Sequence, residues 1–146
     1  MPTIHLRRDR TSFRGSQGDE VQGSGYRLVE RDPPRHTHVL KVAGTSHRRE
    51  DLQSPLFEPG KELSLVPEPD NPHDPDAVGV WDAHRTRQVG YIPREKARLI
   101  KRCLTHERIE RAVALWEWRQ AGSGERIALE ILVGPQMTIE FDSPPR

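Results

Sequence analysis

His73, Asp74, Asp76 and His84 place imidazoles and carboxylates within twelve residues, the donor types that a metal-dependent hydrolase of phosphate or acid-anhydride bonds would use. Their spacing argues against that use. No H-x-x-x-H or H-x-E pattern occurs, and neighbours such as His73 and Asp74 point apart on an extended chain. There is no G-x-x-x-x-G-K phosphate loop and no serine or cysteine nucleophile motif, so the chain carries no ATPase motor and no activated nucleophile. No catalytic residue is assigned and no cofactor is expected. His73, Asp74 and His84 stand only as weak candidates for holding zinc or another divalent ion.

The surrounding residues suit binding better. Pro67, Pro69, Pro72 and Pro75 fix φ and remove amide donors, which makes a stiff, irregular loop. Asn71 precedes a proline and is pushed to extended geometry. Asp74 and Asp76 can accept from nearby amides and cap the turn into the next strand, the commoner use of such residues, with direct ligand contact as the alternative. Downstream, in RQVGYIPRE, Gly90 permits close backbone approach, Tyr91 offers a ring, and Arg94 begins a helix whose first amides are free. A rigid loop, a ring and a cation at a helix start suit an anion with a flat group attached, such as the end of a nucleic-acid strand. Arg94, Arg98 and Arg102 form a stripe at helical spacing that fits either a phosphate backbone or a solvated face. Tyr91 fits equally at the edge of the core. Trp116 and Trp118 alternate on a strand, where one could stack a base and core packing is the commoner role.

These groups need a frame. Apolar alternation predicts strands over Thr37–Gly44, Lys61–Glu68, Ala77–Trp81, Arg87–Ile92, Arg126–Gly134 and Met137–Phe141, with strand favoured over helix for Ile109–Trp118. The strands at 77–81 and 87–92 should form one hairpin and those flanking Gly134-Pro135 another. PREKARLIKRCL predicts a helix with Pro93 at its first position and Ala97, Ile100 and Leu104 on one face. A second short helix fits SHRREDLQSPL. The fold class expected is mainly β (α+β), a small OB-like or SH3-like β-barrel of about six strands with one or two short helices. Residues 1–35 mix Gly, Ser, Gln, Arg and Asp without a period and read as a disordered N-terminal tail, apart from a short strand around Tyr26–Val29. The domain should span 36–142, and 143–146 a disordered C-terminus.

The chain's 23 basic and 22 acidic residues give a net charge of +1, so only local charge can favour a polyanion. One cysteine excludes an internal disulfide and suits a reducing compartment. The absence of a long apolar run or a secretory signal points to a cytoplasmic protein without membrane contact.

Val42-Ala43-Gly44, Gly60 to Leu63, Glu68 to Asp82 and Gln88 to Glu95, taken in that order, resemble the HIRAN domain. The resemblance covers roughly residues 37–105. It implies a small OB-like barrel with two helices, found attached to Swi/Snf-type helicase-like remodellers and as a stand-alone bacterial protein. It also implies capture of the 3′-hydroxyl end of single-stranded DNA in DNA repair or at stalled forks, near a helicase or nuclease partner. By the same resemblance Asn71, His73 and Asp74 line the pocket, Asp74 accepts from the terminal hydroxyl, Tyr91 contacts a phosphate or base, and Arg94 faces the backbone; Arg98 joins the nucleic-acid-binding set through the helical stripe. The Arg-Tyr pair that clasps the terminal nucleotide in the family falls on Ser46 and His47 here, with Arg48 next. A protein-interaction adaptor that binds no DNA is the alternative function.

Overall fold

The computed structural model describes residues 1–142, and the expectation for 143–146 lies outside them. In chain order the strands are β1 (Thr3–Arg14), β2 (Glu20–Leu28), β3 (His38–Lys41), β4 (Glu62–Pro67), β5 (Val78–Asp82), β6 (Gln88–Tyr91), β7 (Arg111–Gln120), β8 (Arg126–Gly134) and β9 (Thr138–Phe141). Helix α1 (Arg49–Leu52) lies between two 3-10 turns, Thr45–His47 and Pro55–Phe57, and α2 (Arg94–Thr105) follows β6. No helix among the described residues is long and apolar enough to cross a membrane.

The expected mainly-β fold is present. Six strands form the anticipated barrel portion, laddered in the order β3–β8–β7–β4–β5–β6. Alternation drives it: Leu129, Ile131 and Val133 of β8 pack inward with Val78 and Val80 of β5, Val89 of β6 and Phe57. Helix α2 closes the core with Ala97, Ile100 and Cys103. The ladder does not run into a closed ring. Its two ends meet at one isolated bridge, where the Ala43 amide donates to the Tyr91 carbonyl (2.8 Å) and the Tyr91 amide donates back (2.9 Å). Pro93 directly precedes α2, one residue earlier than expected.

Two expectations are corrected. Residues 1–35 are not a disordered tail, because β1 and β2 form a long antiparallel hairpin that joins the sheet through β2 and β7, with Gly23 opposite Trp118. The folded unit thus begins at Thr3 rather than at residue 36. Nor does β9 pair with β8: it runs parallel to β1, with Ile4 opposite Ile139 and Leu6 opposite Phe141. The physical reason is a second apolar cluster of Ile4, Leu6, Tyr26, Leu115, Leu132 and Met137, which needs both chain ends to close over it.

His5 clamps this arrangement. Its amide donates to both Glu30 carboxylate oxygens (3.0 Å each), its Nδ1 lies 2.5 Å from Glu30 Oε1, and its Nε2 lies 3.1 Å from Glu140 Oε2 on β9. Hydrogen bonding to Glu30 raises the imidazole pKa above 6.5, against the opposing effect of desolvation. Desolvation would raise the Glu30 pKa, but the bonds from His5 bring it below 4.5. The histidine contribution is therefore complete below 6.5 and lost as pH rises through its raised value, while the carboxylate contribution is complete above 4.5 and lost on acidification. The amide protection factors of β9 are expected to be higher at about pH 5.5 than at about pH 8. In His5→Ala that difference should vanish; a difference that survives would place the effect elsewhere.

Candidate functional site

The loop from Glu68 to Ala77 is built by its own side chains. The Asn71 side-chain oxygen accepts from the amides of His73 (2.9 Å) and Asp74 (3.1 Å), an Asx turn across Pro72. Asp74 Oδ1 accepts from the Asp76 amide (2.9 Å), and the Asp74 carbonyl accepts from Ala77 (3.1 Å), which delivers the chain into β5. Lys101 of α2 donates to the Pro75 carbonyl (2.9 Å) and ties the loop to the helix. Turn-making is therefore real, and it leaves Asp74 Oδ2 with no hydrogen bond among the described residues. The nearest cation is Arg94, whose Nε is 4.0 Å from Oδ2 and whose side chain is 82% exposed.

The loop forms one wall of a cavity of about 310 Å³ at the bridge between Ala43 and Tyr91. Ala43, Gly44, Ala77 and Ile92 supply its apolar surface, and Asn71, His73, Asp74, Tyr91 and Arg94 its polar edge. Its size suits a small ligand or one end of a larger one. Gly90 makes the seam possible: a Cβ there would lie 2.3 Å from the Ala43 carbonyl oxygen. No side chain caps the start of α2; the Lys96 amide donates to the Pro93 carbonyl (2.8 Å), and the amides of Arg94 and Glu95 are left without a partner among the described residues.

Five of the sequence-predicted residues thus converge: Asn71, His73, Asp74, Tyr91 and Arg94. Four do not line the cavity. Ser46, His47 and Arg48 follow Gly44, whose φ of 75° turns the chain into the 3-10 turn and α1. Arg98 is exposed one turn further along α2. Among the weak metal candidates, His84 lies in the β5–β6 turn, and no three ligating side chains among the described residues are arranged to hold an ion. That turn is organised by Asp82 instead. Burial would raise its pKa, but bonds from the amides of Arg87, Thr86 and His84 and from the Thr86 hydroxyl bring it below the usual value.

Sequence reasoning missed Glu68 as a positioning residue. Its Oε1 accepts from Asn71 Nδ2 (3.0 Å) and from the Tyr91 hydroxyl (3.0 Å), linking the loop to the seam behind the cavity. The signal was its place at the head of the Glu-Pro-Asp-Asn-Pro run, but the partner lies 23 residues on.

The HIRAN domain family model matches residues 36–133. Among solved structures, the crystal structure of the HIRAN domain of human HLTF is similar at 19% identity, covering 68% of this chain and 77% of that one, with a TM-score of 0.48. A crystal structure of a protein from Lactobacillus plantarum is similar at 18% identity, covering 67% of this chain and 92% of that one, with a TM-score of 0.47. No curated protein matches the chain.

Proposed function

This chain belongs to the HIRAN domain family of nucleic-acid-binding modules, and from that premise and the seam cavity we propose that it captures the 3′-hydroxyl end of a single DNA strand. The observation that carries the proposal is the division of labour at Asp74, with one oxygen spent on the turn and the other unbonded at the cavity. In this reading the terminal hydroxyl donates to Asp74 Oδ2. The sugar and base sit against Tyr91, Ala43 and Ile92, and the next phosphate meets Arg94 and the first amides of α2. Ser46 and His47 supply no tyrosine ring or guanidinium where the family has its clasping pair, and neither lines the cavity. Without that stacking, worth about 1–3 kcal/mol, affinity should fall roughly one to two decades below that of members that have it. The protein is a binding module in this account, acting in repair or at stalled forks. Any strand separation or cutting comes from a partner helicase or nuclease.

Fluorescence anisotropy with a short strand ending in a 3′-hydroxyl, beside the same strand ending in a 3′-phosphate, tests it. A phosphate placed against the Asp74 carboxylate is repelled, so the hydroxyl end should bind at least about tenfold tighter. Asp74→Asn keeps the turn acceptor and removes the charge, and it should erase most of that preference. Equal, salt-sensitive binding of both ends would leave a general nucleic-acid binder. No binding at low salt would favour the protein-interaction adaptor.

A further inference from the structure

We propose that the β1–β2 hairpin carries a second nucleic-acid contact, a cleft that holds phosphodiester groups of the strand whose end sits at the seam. This rests on the nucleic-acid reading of the chain, and every residue it uses except Glu117, Arg119 and Arg126 lies outside the matched 36–133 region. The cleft encloses about 440 Å³ between Arg10, Thr11, Ser12, Gln22, Ser24 and Arg119. The Thr11 side chain alternates to the other side of β1; each of the other side chains can donate a hydrogen bond, and no carboxylate is among the lining residues. The Arg10 guanidinium and the side chains of Ser12, Gln22 and Ser24 make no hydrogen bond or ion pair among the described residues. A cluster of uncommitted donors without an acceptor fits an anion.

Register sets the donors in two rows: Arg10 and Ser24 in one, which continues to the Glu117 carboxylate on β7 beneath the cleft, and Ser12, Gln22 and Arg119 in the other. The Glu117 carboxylate is buried and shared between Arg119 and Arg126, so two cations face one acid and the floor stays positive. The acid nearest in sequence, Asp9, alternates to the opposite side of β1 and is held there by Arg27 Nε at 2.6 Å. Arg8 shares the Arg10 side, about 6.8 Å along the strand. Donors repeated along a strand suit repeated phosphates better than one compact ion. Strands β1, β2, β7, β8 and β3 are consecutive in the ladder, so Arg10 on β1 is four strand spacings from the seam strand, roughly 19 Å counted across the sheet.

The test uses the full chain, a trinucleotide and a 20-mer oligo-dT, both with free 3′-hydroxyls, in anisotropy titrations over a series of salt concentrations. The 20-mer should bind more tightly and with a steeper salt dependence. Arg10→Ala should weaken the 20-mer about fivefold and flatten its log–log salt slope by about 0.7, one phosphate contact on a single strand, while leaving the trinucleotide unchanged. Arg10→Lys should keep most of the 20-mer affinity. Equal affinities for the two lengths, or an Arg10→Ala protein with unaltered 20-mer binding, would overturn the proposal. Loss of 20-mer binding in millimolar inorganic phosphate at constant ionic strength would also overturn it, by assigning the cleft to a free anion. A chain that ignores the trinucleotide yet binds the 20-mer through Arg10 would refute the seam reading and leave the cleft standing.

Discussion

Glu117→Ala is expected to lower the stability of the chain by about 3–5 kcal/mol, the range for removing one partner of a buried ion pair. Arg126 is fully buried, and its guanidinium holds the segment that follows the seam. One amino group donates to the Leu52 carbonyl (2.6 Å) and the Ser54 carbonyl (3.0 Å), and the other to Glu117 (3.3 Å). The backbone of Arg126 is paired as well, with Gln53 giving and receiving a hydrogen bond at 2.7 Å each. Burial, with help from Arg119, presses the guanidinium pKa below the usual arginine value, and Glu117 opposes that shift. Without Glu117 an unopposed charge remains in the interior beside an Nε that already lacks a partner among the described residues. Replacing both, Glu117→Leu with Arg126→Met, should recover most of the loss, because the desolvation cost disappears with the charges. Urea titrations compared at constant m-value check both. A single-variant loss under about 1 kcal/mol would mean that the ion pair does not hold α1 against β8.

What the chain reveals in one dimension follows from where each element finds its partners. Strands β5, β6 and β8 show as short apolar runs because they are buried along nearly their whole length, and α2 shows a 3.6-residue stripe because it buries one face against the core. The hairpin hid for the opposite reason. Only Ile4 and Leu6 of β1 are buried, against residues at the far end of the chain, and arginines occupy much of the remainder. The glycine and serine content of β2 resembles that of a loop, yet it serves packing: a Cβ on Gly23 would lie 2.5 Å from the Trp118 ring. That contact needs a strand nearly a hundred residues away, so local composition suggested disorder. The loop half of the candidate site was legible, since Asn71, Asp74 and their prolines act on near neighbours. The Ser46–Arg48 stretch was not, because the left-handed turn at Gly44 carries it away from the cavity that Gly44 itself lines.

Gly90→Ala is the sharper test of how fold and site are joined. The new Cβ would stand 2.3 Å from the Ala43 carbonyl oxygen and 2.7 Å from Val42 Cγ1, both far inside contact distance. Neither atom is free to move: Val42 is core, and the Ala43 oxygen accepts the Tyr91 amide that joins the two ends of the ladder. Overpacking of about 1–3 kcal/mol adds to the loss of two backbone hydrogen bonds at about 1 kcal/mol each, so a total near 3–5 kcal/mol is expected. For a chain of this size that lowers Tm by roughly 9–15 °C. Gly122→Ala, with nothing within 4 Å of its Cβ, should leave Tm nearly unchanged. The binding consequence is separate. Moving Ala43 and Gly44 away from Tyr91 opens the cavity without touching Asp74 or Arg94, so strand-end affinity should fall at least about tenfold at a temperature where the variant is still folded. A destabilised variant that binds as well as the parent would show that the end is held by the loop and α2 alone. A variant with the parent's Tm would mean that the bridge at Ala43 and Tyr91 does not hold the barrel together.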